Sequence, residues 1–103
     1  VRGFAAVSAL FLFAASAAAQ VITVNPSTSL TAGSTATISY ANASLANQEV
    51  TIEISGGFPV PQFQTITIQL DETGKGSGTW TVARWRNAFF DAPGALPVTL
   101  PIL

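Results

Sequence analysis

The sequence contains no cysteine, no histidine and no methionine. Without cysteine there is no disulfide framework and no thiolate nucleophile, and without histidine as well the usual ligands of a zinc site are missing. Charge is also scarce, since 4 Lys and Arg and 5 Asp and Glu give a net charge of −1 over 103 residues. A near-neutral chain gives no electrostatic reason to expect a nucleic-acid partner. We therefore predict a protein without metal or cofactor and without nucleic-acid binding.

The N-terminal segment carries the most specific pattern in the chain. A lone arginine precedes the apolar run Phe4–Phe13, and small residues follow, including Ala17 and Ala19. A positive charge, a short apolar stretch and small residues before the cleavage point are typical of a secretory signal peptide. The run is shorter than the roughly 20 residues that a membrane span needs. We expect residues 1–19 to be a signal peptide that meets the membrane only transiently, and residues 20–103 to form the domain.

An alternative use of the same segment is retention. A filament subunit of the pilin type keeps its apolar N-terminal helix and packs it into the filament core. The alanine-rich end before Gln20 favours cleavage instead. Cleavage predicts a secreted or cell-surface protein, with the periplasm as the other destination.

From Val21 onward, apolar and polar residues alternate with a period of two. Successive side chains of a strand point to opposite faces, so each run predicts one buried and one solvated face. The solvated faces consist of Thr and Ser rather than charged residues. The residues expected to face the core are Ala36, Ile38 and Tyr40; Val50, Ile52 and Ile54; Ile66, Ile68 and Leu70; Trp80 and Val82; and Val98, Leu100 and Ile102.

Loop segments rich in Gly, Pro and Asn separate these runs without any helical stretch between them. This spacing is typical of antiparallel sheets packed face to face. The segment Asp71–Gly76 predicts a hairpin turn with glycine available for positive φ. Phe89 or Phe90 is expected to join the core. Pro97 and Pro101 place the last run at a sheet edge or at the end of a strand, because proline cannot donate to the ladder.

Two segments resemble bacterial extracellular immunoglobulin-like domains. The run Leu30–Tyr40 (LTAGSTATISY) is similar to the segment that leads into their second strand, and Ile68–Trp80 (IQLDETGKGSGTW) is similar to their strand, glycine turn and strand unit. The resemblance covers nearly all of residues 21–103. It implies an all-β, antiparallel immunoglobulin-like β-sandwich of about seven strands. In this chain we expect the sandwich to be preceded by the N-terminal apolar signal helix inferred above from residues 1–19. The resemblance also implies surface display, adhesion, or service as a spacer beside another module.

Each pair of neighbouring carboxylates allows a functional and a purely structural interpretation. Asp71 and Glu72 share a turn where a calcium ion could bind, but the Asp-x-Asp-x-Asp spacing of a calcium loop is missing, and the pattern favours a solvated turn in which Asp bonds to the backbone. Glu49 and Glu53 could form an acid pair for glycoside hydrolysis, which requires a cleft that a small sandwich rarely has. We predict no catalytic residues. The Asn42-Ala43-Ser44 triplet is a glycosylation sequon in a host that adds N-glycans.

The candidate contact residues are aromatic and basic. Trp85 has the opposite parity from the inward residues of the preceding run and is flanked by Arg84 and Arg86. An exposed tryptophan between arginines could stack on a sugar or anchor a protein partner. The alternative is that Trp85 covers the end of the sandwich under the arginine stems. Phe58 and Phe63, in a proline-containing loop, form a second candidate surface that could instead cap the core.

The leading hypothesis is a non-enzymatic secreted or cell-surface domain with a structural or adhesive role, whose partner is a protein or polysaccharide at the cell surface. One alternative is a carbohydrate-binding module using Trp85 and nearby polar residues. Another is a self-assembling surface or filament subunit, joined by the retained N-terminus or by the charge-poor edge at Val98–Leu103.

Overall fold

The structure, a computed structural model, describes residues 20–57 and 60–103. The predicted signal peptide and Phe58 lie outside these residues. Across the described ranges the chain forms seven strands and one short 3₁₀ turn, Ala43–Leu45. The strands are β1 (Val21–Asn25), β2 (Thr35–Ala41), β3 (Glu49–Gly56), β4 (Gln62–Gln69), β5 (Lys75–Thr81), β6 (Asn87–Asp91) and β7 (Val98–Pro101).

The seven strands form two antiparallel sheets. One sheet has the order β1-β2-β5 and the other has the order β4-β3-β6-β7. The predicted all-β class with antiparallel, face-to-face sheets is therefore confirmed.

The predicted hairpin between β4 and β5 is wrong in one respect. The turn itself is tight, since the Gly74 N–H donates to the Asp71 carbonyl at 3.0 Å. The strands on either side of it nevertheless belong to different sheets, because β4 pairs with β3 while β5 pairs with β2. β5 packs closely against β4 because glycine occupies inward positions of β5: a Cβ on Gly78 would lie 3.3 Å from the Ile68 side chain. The turn thus folds one sheet over the other.

The core lies between the sheets and contains the residues that the alternation predicted. Most of them are buried, while Ile66, Val98 and Ile102 are partly buried and pack against the same cluster. Trp80 meets Phe90 edge to face with ring centroids 5.6 Å apart, which joins β5 of one sheet to β6 of the other. Phe90 is the core phenylalanine, since Phe89 points to the other face and is 40% exposed.

The last strand lies at a sheet edge, as its prolines predicted. β7 is the outermost strand beyond β6. Part of its free side is covered, because Leu30 forms a parallel bridge to Ile102. Leu30 donates to the Pro101 carbonyl at 2.9 Å and accepts from the Leu103 N–H at 2.8 Å.

Candidate functional site

The candidate residues Arg84, Trp85 and Arg86 lie in the connection between β5 and β6, at the end of the sandwich. The backbone there is held at two points: the Trp85 N–H donates to the Ala83 carbonyl, and the Arg86 carbonyl accepts from Ile102, each at 2.9 Å. Arg84 and Arg86 are exposed, whereas Trp85 is partly buried. The connection therefore presents the two arginines outward and turns the tryptophan toward the core.

The Trp85 ring packs on the end of the core. Its centroid lies 5.5 Å from that of Trp80, with the ring planes tilted by 43°. Beneath it β3 ends in Gly56, where a Cβ would lie 2.6 Å from Trp85 Cε3. Trp80 in turn donates from Nε1 to Gln64 Oε1 at 2.7 Å. This geometry agrees with the covering role of Trp85 and leaves little of the ring for stacking on a ligand.

Phe63 lies on β4 and is 68% exposed. In the strand register Phe63 is opposite Ser55 of β3, and Ser55 is opposite Phe89 of β6. The three side chains therefore form one row across the outer face of the four-stranded sheet. Because Trp85 packs against the core, Phe63 and Trp85 do not form a single flat surface. Among the described residues, Phe89 is an aromatic neighbour of Phe63 on this face, two strands or roughly 10 Å away.

Sequence reasoning missed the outer-face role of Phe89. Its parity relative to Phe90 was a usable signal, since adjacent residues of a strand cannot both face the core. The row itself was not predictable, because it depends on which residues of β3, β4 and β6 stand opposite one another.

Two carboxylates stand beside this row. Glu53 of β3 and Asp91 of β6 are directly opposite in the register, and both are exposed. They line a shallow depression of about 430 Å³ together with Thr51 and the Pro93–Ala95 segment. Like charges directly opposite on one face of a sheet repel each other. The pair therefore makes this part of the outer face electronegative.

Asp71 stabilises its own turn. Its Oδ1 accepts hydrogen bonds from the Thr73 hydroxyl at 2.6 Å, the Lys75 N–H at 3.0 Å and the Thr73 N–H at 2.8 Å. The Thr73 hydroxyl, followed by these backbone donors, lowers the pKa of Asp71 below its usual value of 3.8. Over residues 20–57 and 60–103, no group of three or more His, Cys, Asp and Glu side chains is placed to hold a metal ion. The arrangement matches the solvated-turn reading of Asp71 and Glu72.

The side chain of the sequon asparagine is buried. Asn42 is only 7% exposed, and its Nδ2 donates to the Tyr40 hydroxyl at 3.0 Å. Its Oδ1 accepts from the Ser44 N–H and hydroxyl, and Tyr40 donates onward to the Pro93 carbonyl. The nitrogen that a glycan would need is therefore occupied in the folded protein.

The outer face of the three-stranded sheet carries hydroxyl groups. Thr23, Ser39 and Ser77 stand side by side in the register of β1, β2 and β5. They line a shallow depression of about 360 Å³ with Lys75 and Asp71 at its margin. This surface offers hydrogen bonds and little charge.

Comparison of the chain with known protein families, with characterised proteins and with solved structures found no significant match. Among the described residues, no helix is long and apolar enough to cross a membrane.

Proposed function

We propose that this chain is an exported, non-enzymatic immunoglobulin-like domain with a structural or adhesive role at the cell surface. The strand order supports the immunoglobulin-like assignment. β1, β2 and β5 form one sheet, and β3, β6 and β7 form the other with β4 added beside β3. Immunoglobulin-type sandwiches divide their strands between sheets in this manner. Trp80 and Phe90 pack edge to face between the two sheets, and the chain has no cysteine for the inter-sheet disulfide of antibody domains.

The observation that carries the adhesive role is the row Phe63, Ser55 and Phe89 on the outer face of the four-stranded sheet. Two exposed aromatic rings on a paired sheet form a preorganised surface, because the backbone beneath them loses little further freedom on binding. Aromatic side chains contribute most strongly to contacts with both proteins and sugar rings. The partner is a protein or a polysaccharide of the cell surface.

Binding to cell envelopes tests the adhesive role. Phe89→Ser removes a ring from the row, and Leu96→Ser is its matched control because Leu96 is 87% exposed in a loop. We expect wild type and Leu96→Ser to be retained equally by purified host envelopes, and Phe89→Ser to be retained at least about tenfold less. Equal retention of the two variants would contradict the role of this face. Treating envelopes with protease or with periodate separates a protein partner from a polysaccharide.

Export is tested separately. Processing after Ala19 would remove residues 1–19 and leave Gln20 at the N-terminus. Intact mass and N-terminal sequencing of the protein from host cell fractions would detect this product outside the cytoplasm. An unprocessed N-terminus in a membrane or filament fraction would instead favour the retained-helix alternative.

A further inference from the structure

Among the strands of residues 20–57 and 60–103, β4 lies at a sheet edge and pairs only with β3. At its end the Leu70 N–H donates to the Gln48 carbonyl at 2.9 Å, in line with the β3–β4 register. Residues that bond to the neighbouring strand alternate along an antiparallel ladder. The even-numbered residues of β4 therefore bond to β3, while Phe63 and Thr65 direct their N–H and C=O groups away from it.

The second half of this edge is covered by β5. A Cβ on Gly76 would lie 2.5 Å from the Gln69 carbonyl oxygen, and one on Gly78 would lie 3.8 Å from the Thr67 oxygen. The outward carbonyls of Thr67 and Gln69 thus face β5. Within the part of the chain that the structure describes, the segment of this edge left uncovered is Gln62–Ile66.

The opposite edge of the same sheet is protected. Ile102 donates to the Arg86 carbonyl at 2.9 Å, so the even-numbered residues of β7 bond to β6 and the odd-numbered ones point outward. One of these outward positions is Pro101, which has no N–H and whose carbonyl is already bonded to Leu30, and Pro97 directly precedes the strand. Thr99 alone keeps an outward donor along β7. Proline on an edge strand is a recognised barrier to pairing with another chain.

Pro61 directly precedes β4 as Pro97 precedes β7, but the free half of β4 has no proline at an outward position within the strand. The segment Gln62–Ile66 contains no charged residue, no glycine and no proline. Its composition suits a strand, and uncharged segments of this kind pair readily when they lie at an edge. Phe63 is 68% exposed, and Ile66 is only partly buried. We propose that this edge pairs with the same edge of a second copy of the chain, which joins two four-stranded sheets into one continuous antiparallel sheet.

A second copy fits this edge because the edge is complementary to itself. A two-fold axis at Gln64 places Phe63 opposite Thr65 of the second copy, so that their outward N–H and C=O groups form about four hydrogen bonds. The two Phe63 rings then lie on one face at a diagonal of about 7–8 Å, within reach of each other. Each outward N–H of one copy faces a C=O of the other, and no like charges oppose each other along the segment. Each exposed ring is covered by its symmetry mate.

The expected dimer is weak. Pairing of a segment this short buries less than the roughly 1,200 Å² at the lower end of stable interfaces. The association is therefore concentration-dependent, and it does not depend on the proposed adhesive role.

The test combines sedimentation of the full chain with residue-resolved amide exchange, from about micromolar to about millimolar concentration. In dilute solution the Phe63 and Thr65 amides should exchange rapidly, while the Gln64 amide is slow because it bonds to β3. At high concentration the first two should become protected in step with dimer formation. Association through residues 1–19 would leave them fast, which separates the two routes.

Matched variants check the assignment. Thr65→Lys and Thr99→Lys make the same substitution on opposite edge strands of one sheet. We expect Thr99→Lys to dimerise like wild type and Thr65→Lys to weaken the dimer at least about tenfold. Thr65→Pro, which removes an outward N–H but no hydrogen bond to β3, should act like Thr65→Lys. If Thr65→Lys fails to fold, amide exchange in the wild-type chain still decides whether β4 forms the dimer interface. A chain that stays monomeric, or a dimer whose Phe63 and Thr65 amides stay fast, would overturn the proposal.

Discussion

Replacing Trp85 by alanine separates its two roles, because only a tryptophan that covers the core is needed for stability. The ring touches Trp80 and lies over Gly56. Complete burial of a large aromatic makes its truncation to alanine cost about 3–5 kcal/mol. Trp85 is partly buried, so we expect Trp85→Ala to lower the free energy of unfolding by about 2 kcal/mol. For a domain of this size such a loss lowers Tm by about 8–16 °C.

Urea unfolding and thermal unfolding, both followed by tryptophan fluorescence or circular dichroism, measure this loss. Phe63→Ala is the control, since Phe63 is 68% exposed and its truncation should change stability by less than about 0.5 kcal/mol. If Trp85→Ala lowered the free energy of unfolding as little as Phe63→Ala does, Trp85 would not cover the core. The interpretation of Trp85 as a ligand-binding residue would then be favoured.

A double-mutant cycle with Gly56 tests the contact itself. A Cβ at position 56 would lie 2.6 Å from the Trp85 ring and would also crowd the Asn87 carbonyl. Gly56→Ala should therefore be destabilising in wild type and less so when Trp85 is alanine, with a coupling of about 0.5–3 kcal/mol. Additive effects of the two substitutions would show that the ring does not lie over this glycine.

Three further predictions follow from polar contacts. Tyr40→Phe leaves the Pro93 carbonyl without its interior donor, so the free energy of unfolding should fall by about 1–3 kcal/mol in urea unfolding. Because its folded-state pKa is lowered, Asp71 stabilises the fold above pH 3.8 and loses this effect as pH falls through its folded pKa; Asp71→Asn should flatten the acid limb of a stability profile. Asp91→Asn relieves its repulsion with Glu53 and should stabilise by about 0.2–1 kcal/mol at low salt and less at high salt; no gain would show that the two carboxylates do not repel each other measurably.

The strands and their buried faces were predictable because the information is local. The alternation around Tyr40 and Ile52 records which side of a pleated strand meets the core, whatever strand lies next to it. The same reasoning predicted that the strand after Pro97 is an edge, since a missing N–H limits the number of neighbours it can have. It could not decide between Phe89 and Phe90 without fixing the parity of β6.

The site could not be predicted in the same way, because it depends on contacts between distant residues. The turn at Asp71 has the same local chemistry whether its two strands pair or cross between sheets. The parity of Trp85 suggested exposure, but the chain leaves the strand pattern after Val82, so parity no longer applies there. Only the tertiary position of Gly56 shows that the ring has a place to pack.

The two edges of the four-stranded sheet show that the effect of a proline depends on which way its position faces. A proline either interrupts the ladder inside the sheet or blocks pairing with an outside strand. At the outward position Pro101, the missing N–H would have pointed away from β6, so the ladder between β6 and β7 loses nothing while an outside strand loses a donor. At the adjacent position, a proline would have broken that ladder instead. The charge-poor end of the chain is therefore a poor place for self-assembly despite its composition. β4 has no such residues at Phe63 and Thr65, and association between copies should begin there.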